Sequence, residues 1–200
     1  LSPNKSSNTN IPGFSIYDMT FDQKGHIWIG TDNGIAVIDP SGQLVNHIST
    51  DAGLPGFEVL CMDWQDGDTL WVGTENGCAS VRGADVQVYP QCATSLVSAL
   101  DVDDECSVHL GTIREGLVRY DGEKVTRYHS RNSRLPHDMV TAVLADSKGR
   151  IWAGTCEGLF CLDGKNQNVY TTENSGLLSD HIMALATDGT DINMATNSGI

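Results

Sequence analysis

Six ionisable residues of this chain stand in short polar segments from which their side chains could contact a ligand. They are Glu75, Arg114, Glu115, His137, Glu157 and His181. Carboxylate, guanidinium and imidazole groups form hydrogen bonds and ion pairs with small molecules, which is the chemistry of a binding site. The same residue types are also common in solvated turns, so an ordinary turn role is the alternative for each.

Motifs that would indicate catalysis are absent from the sequence. It has no Gly-x-Ser-x-Gly, His-Glu-x-x-His, Walker-type or Gly-x-Gly-x-x-Gly motif. Acidic turns at 66–68, 101–105 and 188–191 lack the Asp-x-Asp-x-Asp-Gly-x5-Glu pattern of a calcium loop, so hairpin turns explain them better. The sequence therefore predicts no catalytic residue, no metal and no cofactor for this segment.

The cysteines also do not indicate a metal centre. The six of them form no Cys-x-x-Cys pair, which excludes the common zinc and thioredoxin-like spacings. No local disulfide is predicted, and an oxidising compartment is permitted without being required. Three are predicted to be small core residues: Cys61, Cys78 and Cys161.

The net charge of the chain limits the classes of molecule that it could bind. Its 200 residues include 26 Asp and Glu against 12 Lys and Arg, a formal net charge of −14. Such a charge repels phosphate backbones and anionic lipid, which argues against nucleic acid as a partner. No apolar stretch approaches the roughly 20 residues of a membrane span, so none is predicted in this segment.

A six-residue sequence motif, called here the phrase, recurs five times. It defines the elements that position these residues. Its copies are residues 26–31, 69–74, 107–112, 150–155 and 191–196. The fifth residues of successive copies are 43, 38, 43 and 41 positions apart, a period that fits four-stranded propeller blades and also helical repeats. The copies are rich in β-branched and aromatic residues, and two of them precede an Asn-Gly turn, which favours strands.

An apolar first strand precedes each phrase. The five units can be aligned on Asp22, Asp63, Asp103, Asp146 and Asp188. In this alignment the residues six and three positions upstream are all apolar, for example Phe57 and Leu60 in the second unit. Trp64 then lies in a turn that is longer by two residues. It is predicted to be partly buried under a neighbouring loop, with an exposed anchor for a partner as the alternative.

Glycine and tryptophan recur at two fixed positions of the second strand, and both have a structural explanation. A glycine inside a strand indicates close approach of another backbone, here from a neighbouring unit, at Gly30, Gly73, Gly111 and Gly154. One aromatic position is predicted to be core between units rather than a stacking surface for a sugar: Trp28, Trp71 and Trp152.

The phrase Leu/Ile-Trp-Val/Ile-Gly-Thr-x-x-Gly-Leu/Ile, preceded by Gly-Leu-Pro and an apolar strand ending in Asp, resembles the two-component regulator propeller repeat. The resemblance extends from about residue 12 to residue 200. It implies seven-bladed propellers in the periplasmic sensing region of bacterial hybrid histidine kinases, which sense carbohydrate fragments. The third unit departs from the pattern through His109 and a longer turn at 113–116, and the fifth through Asn193 and Ala195. We expect relaxed packing there, for a site or an edge.

The order of strands sorts the loops onto two faces. The loop before the first strand and the turn between the second and third strands share one face, called here the channel face. The remaining turns share the opposite face, called here the hairpin face. Propeller ligands usually meet the channel face, which carries the six candidates together with Asp32, Asn33, Asn76, Asp138 and Asp180. Arg114 and Glu115 are favoured because their turn departs from the repeat.

The sequence therefore predicts an all-β protein, a β-propeller of four-stranded antiparallel blades of which about four and a half are present. Residues 1–13 are expected to be a poorly structured extension. Residues 14–200 form the propeller segment, with blades at about 14–50, 54–91, 95–130, 137–172 and, in part, 181–200. Because the last unit is half present, we expect a segment of a larger, seven-bladed propeller, completed by remaining blades or a second chain.

The predicted function follows from the resemblance. The chain is expected to be a periplasmic or extracellular sensing segment of a two-component system that recognises a carbohydrate or other small ligand and signals to attached kinase domains. Its acidity favours a neutral saccharide over a sulfated or uronic-acid-rich one. The alternatives are a propeller lyase or hydrolase acting on a sugar or lactone, and a protein-interaction scaffold, because propellers host unrelated functions.

Overall fold

The computed structural model of the chain describes residues 11–199, which form a series of short antiparallel sheets. The first blade contains β1 to β4, at Ile16–Phe21, Ile27–Thr31, Gly34–Ile38 and Leu44–Ile48. The second contains β5 to β8, at Val59–Gln65, Thr69–Thr74, Gly77–Arg82 and Asp85–Val88. The third contains β9 to β12, at Val97–Val102, Val108–Thr112, Leu117–Tyr120 and Val125–Tyr128. The fourth contains β13 to β16, at Val140–Ala145, Ile151–Thr155, Gly158–Asp163 and Asn166–Tyr170. The two strands of the fifth are β17 and β18, at Ile182–Thr187 and Ile192–Thr196.

These sheets are the blades of a partial β-propeller, which confirms the predicted fold class. Strands within each blade are hydrogen-bonded in chain order, and the first strands β1, β5, β9, β13 and β17 contact one another in succession around the axis. The predicted extension, residues 1–13, lies outside the described residues except for its last three. In the described part, helix is limited to a 3-10 turn at Thr50–Ala52, and no helix there could cross a membrane.

The first strand of every blade begins with a β-bulge. The pairing with the second strand skips one residue in each case: Tyr17, Leu60, Ser98, Thr141 and Met183. Two of these residues connect to the next blade. The Ser98 hydroxyl donates to the carbonyl of Val140, and the Thr141 hydroxyl donates to the carbonyl of Ile182 at 2.6 Å. The bulge thus aims a side chain at the neighbouring blade.

The alignment on aspartates is wrong in the second blade. β5 continues to Gln65, which pairs with Thr69, so the hairpin turn contains three residues: Asp66, Gly67 and Asp68. The φ values of Asp66 and Gly67 are 56° and 68°. Asp63 therefore lies within the strand, opposite Trp71. Gln65 takes the place of the turn aspartate, because its Oε1 accepts a hydrogen bond from Nε1 of Trp71 at 2.7 Å.

The same alignment error displaces the predicted apolar positions of the second blade by two residues. Val59 pairs with Thr74 in the way that Val97 pairs with Thr112 in the third blade. Val59 is fully buried, whereas the side chain of Phe57 is 58% exposed. The strand therefore starts two residues later than the aspartate alignment predicts.

The recurrent glycines lie where the next blade comes closest. A Cβ added to Gly30 would lie 2.7 Å from the carbonyl oxygen of Val59. At Gly73, Gly111 and Gly154, the nearest atoms of the next blade are methyl carbons at 2.7, 2.7 and 2.6 Å, which belong to Val97, Val140 and Ile182. The close neighbour is thus a backbone atom in one case and a β-branched side chain in three, and a hydrogen atom is all that fits.

The recurrent tryptophans join each second strand to the turn before it. Nε1 of Trp28 donates to Oδ2 of Asp22 at 3.2 Å, and Nε1 of Trp152 donates to Oδ2 of Asp146 at 3.0 Å. Together with Trp71, these rings are buried and pack in apolar clusters with residues of the following blade. The tryptophans are therefore part of the core between blades.

Candidate functional site

The six candidate residues all lie on the channel face, distributed over the second to fifth blades. Turns between second and third strands carry Glu75, Arg114, Glu115 and Glu157. Loops that lead into first strands carry His137 and His181. The fold therefore places them on one face of neighbouring blades, and the contacts of each side chain then separate structural roles from free groups.

The Glu75 carboxylate holds the loop that leads into its own blade. Its Oε1 accepts a hydrogen bond from the amide of Phe57 at 2.9 Å, and its Oε2 accepts one from the amide of Glu58 at 3.0 Å. Asp32 has the same role in the first blade, where Oδ1 accepts from the amide of Phe14 at 2.8 Å. Both acceptors are engaged with backbone, which indicates a structural use of these turn residues.

Glu115 has this role in the third blade. Its Oε1 accepts from both the amide and the hydroxyl of Thr94 at 3.1 Å, and its Oε2 lies 3.5 Å from Nε of Arg127. Burial alone would raise the pKa of Glu115, but the hydrogen bonds and the charge of Arg127 outweigh it and lower the pKa. Glu115 is therefore a charged residue that fixes a loop.

In the fourth and fifth blades, the carboxylate that holds the loop before the first strand belongs to that loop itself. Oδ1 of Asp138 accepts from the amide of Ser130 at 2.7 Å, and Oδ1 of Asp180 accepts from the amide of Thr172 at 2.6 Å. The turn position that matches Glu75 is Cys156 in the fourth blade. Asp138 and Asp180 are thus turn residues, as the alternative interpretation predicts.

Three of the six candidates have side chains that are wholly without hydrogen bonds among residues 11–199. His137 uses Nδ1 to accept from the amide of Met139 at 3.0 Å. Within residues 11–199, the side chains of Arg114, Glu157 and His181 form no hydrogen bond or ion pair. Arg114 and Glu157 are exposed and His181 is half-buried. These three groups are available for a ligand on the channel face.

A series of aspartates near the axis was missed by the sequence analysis. Asp18, Asp63 and Asp101 each accept a hydrogen bond from a backbone amide in the first strand of the next blade, at 2.6, 2.9 and 2.5 Å. The donors are, in order, the amides of Met62, Val102 and Ala145. The alignment had assigned Asp63 to a turn; the Asp66-Gly67 turn signal would have placed it in the strand.

The most perturbed carboxyl group of this series is Asp101. Burial raises its pKa to about 7, and the neighbouring Asp63 adds to this effect, whereas hydrogen bonds from the amides of Ala145 and Val102 oppose it. Burial also raises the pKa of Asp18. Near neutral pH, Asp101 is therefore protonated in part of the molecules, and it can donate a hydrogen bond to Asp63.

Trp64 is a packing residue rather than an exposed anchor. Its ring meets that of Trp28 edge to face, with centroids 5.3 Å apart and planes at 85°. It is half-buried against the apolar cluster that joins the first and second blades. The predicted partial burial is confirmed, with a neighbouring tryptophan in place of a loop as its cover.

The cysteines are free thiols in this structure. Four are buried, namely Cys61, Cys78, Cys92 and Cys161, and the remaining two are half-buried, namely Cys106 and Cys156. Burial raises the pKa of Cys161 to about 11, so its thiol is protonated at neutral pH. Among residues 11–199, no group of three or more His, Cys, Asp or Glu side chains is arranged to hold a metal ion.

Solved structures similar to this chain include propellers of several kinds. One is described as the extracellular domain of the hybrid two-component system BT3049 from B. thetaiotaomicron, with a TM-score of 0.78 and 22% identity over 95% of this chain. This chain spans 27% of that one. A second is the extracellular domain of the system BT4673 from the same organism, with a TM-score of 0.52 and 16% identity over 94% of this chain and 34% of that one.

An enzyme is also among the similar structures. Virginiamycin B lyase from Staphylococcus aureus has a TM-score of 0.67 and 15% identity over 92% of this chain and 68% of that one. At such identities the likeness concerns the fold. No curated protein sequence matches this chain.

A family model adds sequence information that the fold alone does not carry. The model described as two component regulator propeller matches residues 12–33 and 134–157. The first match contains β1 and β2 up to the turn, and the second contains the Leu135-Pro136 loop together with β13 and β14. These are the elements on which the resemblance in the sequence depends. At these two segments the chain therefore matches the two-component regulator propeller repeat.

Proposed function

We propose that this chain is part of the extracytoplasmic ligand-sensing propeller of a two-component regulatory system, in the periplasm or outside the cell. The observation that carries the proposal is the match of the family model at residues 12–33 and 134–157. The likeness in fold to extracellular domains of two-component systems supports it. The segment has a binding role rather than a catalytic one, and kinase domains attached elsewhere in the protein read its state.

The ligand is a carbohydrate bound on the channel face. Arg114, Glu157 and His181 supply the free polar groups of the third, fourth and fifth blades, and together they can donate to and accept from sugar hydroxyl groups. The net charge of −14 disfavours sulfated and uronic-acid-rich glycans, so a neutral saccharide fits best.

Calorimetry on the complete propeller tests this proposal. Neutral oligosaccharides are titrated against the wild type and against variants Arg114→Ala, Glu157→Gln and His181→Ala. Loss of binding in these variants, with binding retained in Lys165→Ala on the hairpin face, is expected. Binding of sulfated glycans in preference to neutral ones would contradict the ligand class. Kinase autophosphorylation that does not respond to a bound saccharide in the full-length protein would contradict the sensing role.

A propeller lyase is the second candidate, favoured by the likeness in fold to virginiamycin B lyase. The test is turnover of sugar lactones and of virginiamycin B in the presence of divalent metal ions. Turnover that depends on His137 or His181 would replace the sensing proposal with an enzymatic one. Absence of turnover together with saccharide binding supports the sensor.

A further inference from the structure

A cleft of about 460 Å³ opens between the third and fourth blades on the hairpin face. Polar residues from both blades and two apolar residues line it: His109, Arg119, Asp146, Lys148, Ile151 and Leu162. Its volume lies in the range of sites for small molecules. The cleft is on the opposite face from Arg114, Glu157 and His181, so it is separate from the proposed sensing site.

The cleft lies where the repeat departs from its pattern. His109 occupies the position of Trp28, Trp71 and Trp152, and an imidazole fills less space than an indole. It keeps the bond of the repeat to the preceding turn, because its Nε2 lies 2.8 Å from Oδ2 of Asp103. The replacement therefore preserves the structural bond, opens space towards the fourth blade and adds a second ring nitrogen that tryptophan lacks.

Two buried polar atoms at the cleft have no partner among the described residues. They are Nδ1 of His109, a side chain that is 1% exposed, and Nε of Arg119. The guanidinium is otherwise held through Nη2, which donates to the hydroxyl of Ser107 at 3.0 Å. A buried polar atom without a hydrogen bond lowers the stability of the fold. Two such atoms at one cleft therefore indicate that a ligand supplies the missing partners.

The protonation of His109 defines what that group must offer. Burial lowers the pKa of His109 although Asp103 acts in the opposite direction, so the neutral ring is favoured at neutral pH. With Nε2 donating to the Asp103 carboxylate, Nδ1 is an acceptor. Nε of Arg119 is a donor. The bound group must therefore donate at one point and accept at the other, which a hydroxyl-bearing molecule does.

The charges around the cleft argue against an anion. Asp103, Asp104, Glu105 and Asp146 supply four carboxylates, against two cations from Arg119 and Lys148. Ile151 and Leu162 provide an apolar surface for C–H groups. We propose that this cleft binds a small uncharged molecule with neighbouring hydroxyl groups, one hydroxyl donating to Nδ1 of His109 and an oxygen accepting from Nε of Arg119.

The proposal is tested by titrating the protein with D-glucose, D-galactose, D-mannose and myo-inositol, and with gluconate as a charged comparison. Calorimetry measures binding, and the ¹⁵N shift of His109 Nδ1 reports its hydrogen bond. At least one uncharged probe is expected to bind and to shift the Nδ1 signal, whereas gluconate binds more weakly.

Three variants separate this cleft from the channel face. His109→Trp restores the residue of the repeat and fills the cleft, and Arg119→Met removes the donor with little change in volume. Each is expected to weaken binding by about tenfold or more. Arg131→Met removes an exposed guanidinium outside both sites, so it is the matched control for Arg119→Met and is expected to bind as the wild type does.

Three results would overturn the proposal. One is equal binding to His109→Trp and the wild type. Another is an Nδ1 signal that no probe changes, which would mean that no probe forms a hydrogen bond with His109. The third is binding that Glu157→Gln abolishes and that both cleft variants retain, which would place the saccharide on the channel face and support the proposed function while refuting the cleft.

Discussion

Asp101 lies at a point where burial, a backbone amide and a second carboxyl group act on one side chain. Its pKa of about 7 compares with an ordinary value of 3.8. The folded protein binds the proton of Asp101 more tightly than the unfolded chain does, so this protonation stabilises the fold. The contribution is fully present below about pH 4 and is lost as the pH rises through about 7. Close to physiological pH, the axis of the propeller therefore carries a group that is ready to titrate.

The substitution Asp101→Asn is expected to remove this pH dependence. The free energy of unfolding of the wild type, relative to the variant, should fall with a slope of up to about 1.4 kcal/mol per pH unit between about pH 4 and 7. Above about pH 8 the difference should be constant. Denaturant unfolding at a series of pH values measures it. A difference that rises with pH would show that Asp101 ionises more easily in the folded protein.

The glycine at position 111 is expected to tolerate no methyl group. In Gly111→Ala, the added Cβ would lie 2.7 Å from a methyl carbon of Val140 and 3.0 Å from one of Val143. Such overpacking costs about 1 to 3 kcal/mol, to be measured as a lower denaturant midpoint. Gly176→Ala is the control, because nothing lies within 4 Å of its added Cβ. Equal midpoints for the two variants would refute the packing role of Gly111.

At the scale of elements, each blade is joined to the next by the first strand and its bulge. The hydroxyl groups of Ser98 and Thr141 reach carbonyl groups of the following blade, and the aspartates near the axis accept from its amides. A bulge residue leaves the pairing of its own sheet, so its side chain can serve the neighbour. The bulge is therefore part of the interface between blades.

Replacement of this hydroxyl should weaken that interface. Thr141→Val keeps the shape of the side chain and removes the donor to the Ile182 carbonyl, which should cost about 1 kcal/mol of unfolding free energy. Thr126→Val on β12 is the control, because the Thr126 hydroxyl forms no hydrogen bond within residues 11–199. Equal effects of the two substitutions would mean that the bridge to Ile182 adds nothing.

The repeat and its strands follow from the sequence because their signals are local, whereas the missed features depend on contacts between blades. The Asn-Gly turns, the strand-two glycines and the tryptophan position were predictable from residue type and period. Asp63 was misplaced because Gln65 stands where the other blades have the turn aspartate, and Asp63 is the aspartate nearest to that position. The unpaired Nδ1 of His109 depends on the fourth blade, which no local pattern describes.

At the scale of the whole molecule, β1 exposes an apolar face. The side chains of Ile16, Met19 and Phe21 are 58%, 56% and 61% exposed. The residues equivalent to Ile16 in the four following blades are fully buried by the blade before them: Val59, Val97, Val140 and Ile182. This face therefore has the composition of an interface between blades and has no cover among residues 11–199.

Residues 1–200 expressed alone are expected to self-associate through that face. The double substitution Ile16→Lys and Phe21→Lys should convert the associated form to monomer, because charges cannot be buried there without partners. Sedimentation velocity over a range of concentrations measures it. Val45→Lys, which replaces an exposed side chain of β4, is the control and should leave association unchanged. A monomeric wild type would contradict the expectation.

The glycine contacts and the aspartate bonds described above all join consecutive blades, so the opening of one blade exposes groups of its two neighbours. Cooperativity of this nearest-neighbour kind makes the rate of amide hydrogen exchange depend on position along the chain. Amides of β10 and β14, in blades with a neighbour on both sides, should exchange more slowly than those of β2 and β18. The propeller thus behaves as a row of coupled units that opens from its ends. Hydrogen exchange measured by mass spectrometry should therefore be fastest in the terminal blades and slowest in the central ones.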